Sequence, residues 1–175
     1  MLALILAAKA DTVVLHVGAA GVARFLPMSN AIEHTAARLE LGAGVPSVQA
    51  YVVAQIGAHN TTDVSQSGAS AGLPGDFLLT NVGAGGRFPL STVGRLRVVP
   101  HVEVGVSLFD APIKRAVGFY PPQSVGAWAQ LGCDVGVSIL DDDMVTAYVG
   151  LDAGYATNPG LGLIVAPRLG LAANF

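Results

Sequence analysis

Hydrophobic and polar residues alternate with period two along the segment Arg95–Phe109. One set of alternate positions, running from Leu96 to Leu108, is aliphatic apart from a single proline. The positions between them hold the polar and charged groups: Arg95, Arg97, His101, Glu103 and Ser107. Because successive side chains of a β-strand point to opposite faces, this pattern predicts a strand with one aliphatic and one charged face. The segment is longer than the usual strand of about five or six residues, and it suits a tilted strand that crosses a bilayer, which needs about 9–11 residues.

The same alternation predicts eight strands along the chain. They are Thr12–Ala20, Ala36–Gly44, Val48–Ala58, Asp76–Phe88, Arg95–Phe109, Ser124–Leu140, Met144–Tyr155 and Leu161–Phe175. A helical period also fits Ala31–Arg38, for which a short loop helix is the alternative.

The connections between these strands alternate in length. Three are long, namely Gly21–Thr35, His59–Gly75 and Asp110–Gln123, and those between them are short. Long external loops and short periplasmic turns are typical of outer-membrane barrels. We therefore predict an all-β fold over residues 11–175: an eight-stranded antiparallel transmembrane β-barrel with up-and-down meander topology and both ends on the periplasmic side.

Composition favours a membrane environment for these strands. Hydrophobic residues make up 52% of the chain and charged residues 12%, whereas an ordinary soluble domain has about 25% charged residues. No segment is long and apolar enough to predict a transmembrane helix. A soluble barrel with the aliphatic face inside is the structural alternative, but its outer surface would be glycine-rich and poor in charge.

The first ten residues predict a separate segment. Leu2–Ala7 is a short apolar run, and Ala8-Lys9-Ala10 has the small-x-small pattern of a cleavage site before Asp11. We interpret residues 1–10 as the remnant of a secretory signal. The alternative is that they open the first strand.

The polar faces predict a network of charges inside the barrel. Its candidate members are Arg38, Glu40, Arg95, Arg97, His101, Glu103, Asp134, Asp152 and Arg168, with His16 and Arg87 on the same faces. Buried charges require partners, and eight strands leave an interior just wide enough for side chains to fill. We therefore expect a salt-bridged plug in which Asp152 pairs with Arg168, and Asp134 with His101 or Arg97. A narrow water-filled pore lined by the same groups is the alternative.

Catalytic and cofactor chemistry has weaker support. His101, Glu103 and Ser107 share one face, but about 20 Å separates His101 from Ser107 at about 3.3 Å per residue, far beyond hydrogen-bond reach of about 3 Å. His59, among polar residues at a strand end, is the alternative centre for an enzyme that modifies lipid A. The histidines lack metal-ligand spacing and no phosphate-binding loop is present, so no metal or other cofactor is expected. The chain has no basic run, so no nucleic-acid partner is expected either.

Residues 11–175 resemble the small eight-stranded outer-membrane barrels of the outer-membrane-protein-A, X and W type. The most specific element is the last strand, Gly162–Phe175, with its terminal aromatic residue. The resemblance implies an integral protein of the Gram-negative outer membrane, with membrane lipid as a partner. It also implies that Phe175 is the signal read by the barrel-assembly machinery. The length of the three long loops separately predicts a structural or surface-recognition role for them. Aromatic residues are only 6% of the chain, and the predicted interface anchors are Phe88, Phe109, Tyr155 and Phe175.

Overall fold

The computed structural model describes residues 13–26, 31–60, 76–90, 94–110, 123–140, 144–158 and 161–175. The predicted segment 1–10 lies outside these residues. Eight strands are present, as predicted: β1 Val14–Leu26, β2 Ala31–Val45, β3 Val48–Asn60, β4 Asp76–Arg87, β5 Leu96–Asp110, β6 Gln123–Ser138, β7 Val145–Ala156 and β8 Gly162–Asn174. None of the described residues forms a helix that is long and apolar enough to span a membrane.

The strands form a closed antiparallel barrel in which each strand pairs with the next and β8 pairs with β1. The seam is completed beyond β8, where the backbones of Leu15 and Phe175 exchange two hydrogen bonds of 2.9 Å. The predicted fold class is therefore confirmed. We call the end that holds the β2–β3, β4–β5 and β6–β7 connections the turn end, and the opposite end the loop end.

The outer surface of the barrel is aliphatic. Large apolar side chains are exposed on every strand; examples are Val17, Leu39, Val52, Val82, Val104, Leu131, Val149 and Leu169. Cys133 is also exposed on this surface. An apolar surface of this extent on an otherwise paired, closed sheet is suited to contact with lipid.

The first connection is shorter than the sequence predicted. The segment Gly21–Thr35 was expected to be a long loop, which is wrong, and the alternative of a short helix over Ala31–Arg38 is wrong as well. β1 continues to Leu26 and β2 starts at Ala31, so only residues 27–30 separate the strands. The extension of β1 was missed because its inward residues include Val22 and Leu26, so apolar side chains occupy both of its faces.

Two apolar side chains near the loop end also face inward against expectation. Phe109 was predicted to anchor the membrane interface and Leu161 to face outward, yet both are buried in the barrel interior. The other predicted anchors, Phe88, Tyr155 and Phe175, are exposed. Apolar residues take several inward positions near the loop end, so the rule that polar residues face inward fails at those positions.

Glycine makes room for a large side chain at the inner face near the middle of the barrel. Tyr51 on β3 lies between Gly42 on β2 and Gly85 on β4, which are its direct cross-strand neighbours. A Cβ atom at Gly85 would lie 2.7 Å from Tyr51 Cζ, and one at Gly42 would lie 2.6 Å from Tyr51 Cβ. Both distances are shorter than van der Waals contact, so only glycine at these positions leaves room for Tyr51.

Candidate functional site in the barrel interior

The barrel interior is divided into two layers along its axis. The charged layer, towards the turn end, consists of His16, Arg38, Glu40, Arg87, His101, Glu103, Asp134, Asp152 and Arg168, all of them buried. The apolar layer, towards the loop end, consists of Val22, Leu26, Ala36, Val53, Leu79, Phe109, Trp128, Ala156, Leu161, Ile164 and Ala166. The buried polar side chains of Arg24, Gln55, Asn81 and Ser107 occupy inward positions on the same strand segments. Every strand contributes to one layer or both, because inward positions recur at every second residue.

Glu103 on β5 is a centre of the charged layer. Arg38 Nη1 donates to Glu103 Oε2 at 3.0 Å, and Arg38 Nη2 and the Tyr51 hydroxyl both donate to Glu103 Oε1. Gln130 Nε2 adds a further hydrogen bond to Glu103 Oε2 at 2.7 Å. Glu103 is 1% exposed, so these donors replace the water that a carboxylate requires.

Glu40 on β2 connects cations from several strands. Arg38 Nε donates to Glu40 Oε1 at 2.6 Å, and His16 Nε2 lies 3.1 Å from Glu40 Oε2. Arg87 Nη1 lies 3.7 Å from Glu40 Oε2 and contacts the His16 ring. Arg168 Nη1 reaches Glu40 Oε1 from β8 at 3.5 Å.

Arg168 is the centre of the other side of the layer. Its Nε and Nη2 donate to the two oxygens of Asp134 at 2.9 and 3.0 Å, and its Nη1 lies 3.5 Å from Asp152 Oδ2. His101 Nε2 lies 2.7 Å from Asp152 Oδ1. Gln130, which bonds Glu103, also donates to Asp152 Oδ2 at 3.1 Å, so the two sides form one connected network across the barrel.

The structure brings most of the predicted interior charges together and separates two of them. Arg168 lies beside Asp152. Asp134 is bound by Arg168, and His101 is farther away, with its Nδ1 atom 4.0 Å from Asp134 Oδ2. Arg95 is exposed in the turn before β5, so its predicted place in the interior is wrong; Gly94, with φ of 70°, ends the alternation there. Arg97 is only partly buried, and its Nη1 donates to the carbonyls of Gly94 and Leu96.

Sequence analysis missed Arg24, which is buried near the loop end with its Nη2 3.5 Å from the Leu79 carbonyl. It falls in the segment that was interpreted as a loop. The alternation of Val22, Arg24 and Leu26 on one face could have placed it inside.

The described side chains do not form an arrangement that supports the catalytic alternatives. His101 and Glu103 are held in ion pairs within the charged layer, and Ser107 is fully buried farther along β5. The side chain of His59 lies outside the described part of the structure.

The layers define the protein as an eight-stranded outer-membrane-type β-barrel with a filled interior and an aliphatic exterior. Comparison with solved structures supports this class. The chain is similar to Neisserial surface protein A, with a TM-score of 0.61, 12% identity, and coverage of 93% of this chain and 95% of the other.

The chain is also similar to Ail, the attachment invasion locus protein of Yersinia pestis. In a complex of Ail with the heparin analogue sucrose octasulfate, the TM-score is 0.53 at 9% identity, covering 93% of this chain and 97% of Ail. For the structure of Ail in a phospholipid bilayer nanodisc, the TM-score is 0.53 at 11% identity, covering 92% of this chain and 99% of Ail. No protein-family model and no curated protein sequence matches the chain. The fold is that of the small bacterial outer-membrane barrels.

Proposed function

We propose that this protein is an integral outer-membrane barrel with a closed interior that acts as a rigid scaffold for surface recognition by its external loops. The observation that carries the proposal is the filling of the interior by the charged and apolar layers. Side chains of both layers are almost entirely buried. A conducting pore would need a continuous, hydrated path, and the buried side chains of both layers occupy the interior where such a path would run.

The scaffold gains stiffness from the charged layer. Its members are contributed by β1, β2, β4, β5, β6, β7 and β8, so the ion pairs join strands that are not neighbours in the sheet. Breaking a buried, hydrogen-bonded ion pair is costly. The layer therefore fixes the barrel cross-section from which the strands extend to the loop end.

The loop end is the proposed recognition surface, with the turn end in the periplasm. Residues 61–75 and 111–122 connect strands at the loop end, and function concentrates in long loops on rigid scaffolds. The second segment contains Lys114-Arg115 and Phe119-Tyr120. These residues combine positive charge with aromatic surface, a chemistry suited to anionic ligands. The similarity to Ail, solved with sucrose octasulfate, supports an anionic surface ligand.

Assembly of the barrel is the second part of the proposal. Phe175 is exposed, and its backbone closes the seam with Leu15. We assign its side chain, which packs on no interior layer, to recognition by the barrel-assembly machinery.

The recognition proposal is tested with sucrose octasulfate as the probe and the detergent-folded protein. The double substitution Lys114→Gln/Arg115→Gln is expected to weaken binding roughly tenfold, because two charge-assisted contacts are lost. The matched control in the same segment is Val117→Gln. Heat-dependent gel migration verifies that each variant is folded. Absence of binding to the unsubstituted protein, or equal binding by the double variant, would contradict recognition of anions by this segment.

A further inference from the structure

An open groove of about 1000 Å³ crosses the outer surface of the barrel near the loop end. Its lining includes the small residues Gly21, Ala23 and Ala37 and the larger exposed side chains of Ile56 and Leu169. A Cβ atom at Gly21 would meet no atom within 4 Å, so the groove is open above β1. It is continuous with the aliphatic surface that faces lipid, so its occupant is expected to be apolar.

The seam between β1 and β8 is interrupted beside this groove. Leu15 and Phe175 exchange two hydrogen bonds across the seam, and Ala23 and Pro167 lie eight residues farther along the same two strands, in the same hydrogen-bonding phase. Pro167 has no N–H group, and neither residue is among the paired positions of the seam, which resume two residues beyond Ala23. The Ala23 carbonyl therefore points at a neighbour that cannot donate to it.

The pairing of β1 with β2 is irregular at the same residue. The register shifts between Val22 and Arg24, so Ala23 lies opposite the irregularity. Ala23 is partly exposed and lines the groove. A backbone carbonyl without its ladder donor is costly next to hydrocarbon, so a donor supplied by the occupant of the groove would stabilise this part of the seam.

Phe25 indicates the depth of the groove in the membrane. It is the next outward residue of β1 beyond Ala23, about 7 Å farther along the strand towards the loop end, and it is 39% exposed. Aromatic side chains on the lipid-facing surface are enriched where acyl chains meet the headgroups. The part of the groove at Ala23 therefore lies at the level of the polar end of an acyl chain.

We propose that the groove beside the seam binds one acyl chain of an outer-leaflet lipid, and that a hydroxyl or amide N–H near the head of this chain donates to the Ala23 carbonyl oxygen. The site lies on the barrel wall and not in the loops, so its failure and the failure of loop recognition are independent.

Nuclear magnetic resonance of the folded protein in phosphatidylcholine nanodiscs tests the site with three uncharged probes: methyl tetradecanoate, methyl 3-hydroxytetradecanoate and N-methyltetradecanamide. The first lacks a donor, the second adds an O–H and the third an N–H. The O–H or the N–H probe is expected to shift the methyl signals of Ala23 and Ala37 saturably and to bind about fivefold more tightly than methyl tetradecanoate, the effect of one further hydrogen bond. The tighter of the two identifies the donor.

Three results of this titration would overturn the proposal. Equal affinity of all three probes would exclude a contact with the Ala23 carbonyl. Absence of a saturable shift would exclude the groove as a site. Shifts that follow the protein concentration instead of the probe concentration would assign the groove to a second copy of the barrel.

Pro167→Ala is the decisive variant, because it restores an N–H group opposite the Ala23 carbonyl. It should abolish the preference for a donor-bearing probe, while the affinity for methyl tetradecanoate stays unchanged. Pro100→Ala is the matched control, because Pro100 is a strand proline on β5 that does not line the groove. A preference retained in Pro167→Ala, or lost equally in both variants, would overturn the donor contact.

Ala37→Leu tests the groove itself, because a larger side chain fills it. All three probes should bind at least fivefold more weakly to this variant. Ala129→Leu makes the same change at an exposed position of β6 outside the groove, and it should leave binding unchanged. Equal binding by the two variants would overturn the site. Heat-dependent gel migration verifies the folding of every variant.

Discussion

The charged and apolar layers fill the same barrel with the same strands, but by different physical means. In the charged layer each group depends on named partners; Arg38 and Glu103, both 1% exposed, are bound to each other and to further network members. In the apolar layer Leu26, Leu79 and Leu161 are fully buried, and their contribution to stability depends on close packing. The charged layer should therefore be sensitive to the removal of single charges, and the apolar layer to the removal of atoms.

Neutralising one partner in the charged layer is the largest expected perturbation. Glu103→Gln removes one of the two carboxylates that bind the buried Arg38, which keeps only Glu40, and we expect a loss of about 3–5 kcal/mol in the free energy of unfolding. Urea unfolding in lipid vesicles measures the loss.

The double substitution Arg38→Met/Glu103→Leu sharpens this comparison. It replaces the ion pair by apolar groups, while Glu40 keeps its contacts with Arg87 and Arg168. Such replacements are often neutral, so the double variant should be more stable than Glu103→Gln alone. A double variant that is less stable than the single one would show that this layer cannot be replaced by apolar packing.

Truncating one side chain of the apolar layer should have the next largest effect. Leu79→Ala removes a fully buried side chain, and the resulting cavity is expected to cost about 3 kcal/mol. The neighbouring Leu78, 40% exposed on the outer surface, is the matched control, because lipid can refill the space around it. Equal losses for Leu78→Ala and Leu79→Ala in urea unfolding would contradict an apolar filling of the loop end.

Tyr51, whose hydroxyl binds Glu103 in the charged layer, depends on the space that Gly85 leaves beside it. Gly85→Ala would place a Cβ atom 2.7 Å from both Tyr51 Cζ and the Val102 carbonyl oxygen, and overpacking of this kind costs about 1–3 kcal/mol. Gly86→Ala is the control on the outer face, where the nearest atom of the Phe88 ring is 3.5 Å away. Thermal unfolding should separate the two variants; similar midpoints would argue against the close approach of Tyr51.

Phe175 belongs to neither layer, so its substitution should affect folded stability least. We expect Phe175→Ala to change the free energy of unfolding by less than about 1 kcal/mol, but to lower the yield of assembled barrel in the outer membrane of cells. Quantifying folded protein in cells and after refolding in detergent separates the two effects. Full yield in cells would contradict its proposed role as an assembly signal.

The two layers also explain which parts of the structure could be predicted. Where polar groups face inward, as at His101 and Glu103, alternation gives both the strand and its orientation. Near the loop end apolar residues occupy inward as well as outward positions, so the end of β1, the start of β2 and the inward positions of Phe109 and Leu161 were not recognised. Ion-pair partners on adjacent strands, Asp152 and Arg168, followed from strand order. The link from Arg168 to Glu40 depends on how long side chains cross the interior, which strand order does not determine.

The most direct test of the closed interior is electrical recording from the purified, folded protein in planar lipid bilayers. Because buried side chains fill the barrel interior between its two ends, we predict no conductance steps from protein whose folded state is verified by heat-dependent gel migration. Reproducible steps from the unsubstituted protein would contradict the closed scaffold and would favour the narrow pore.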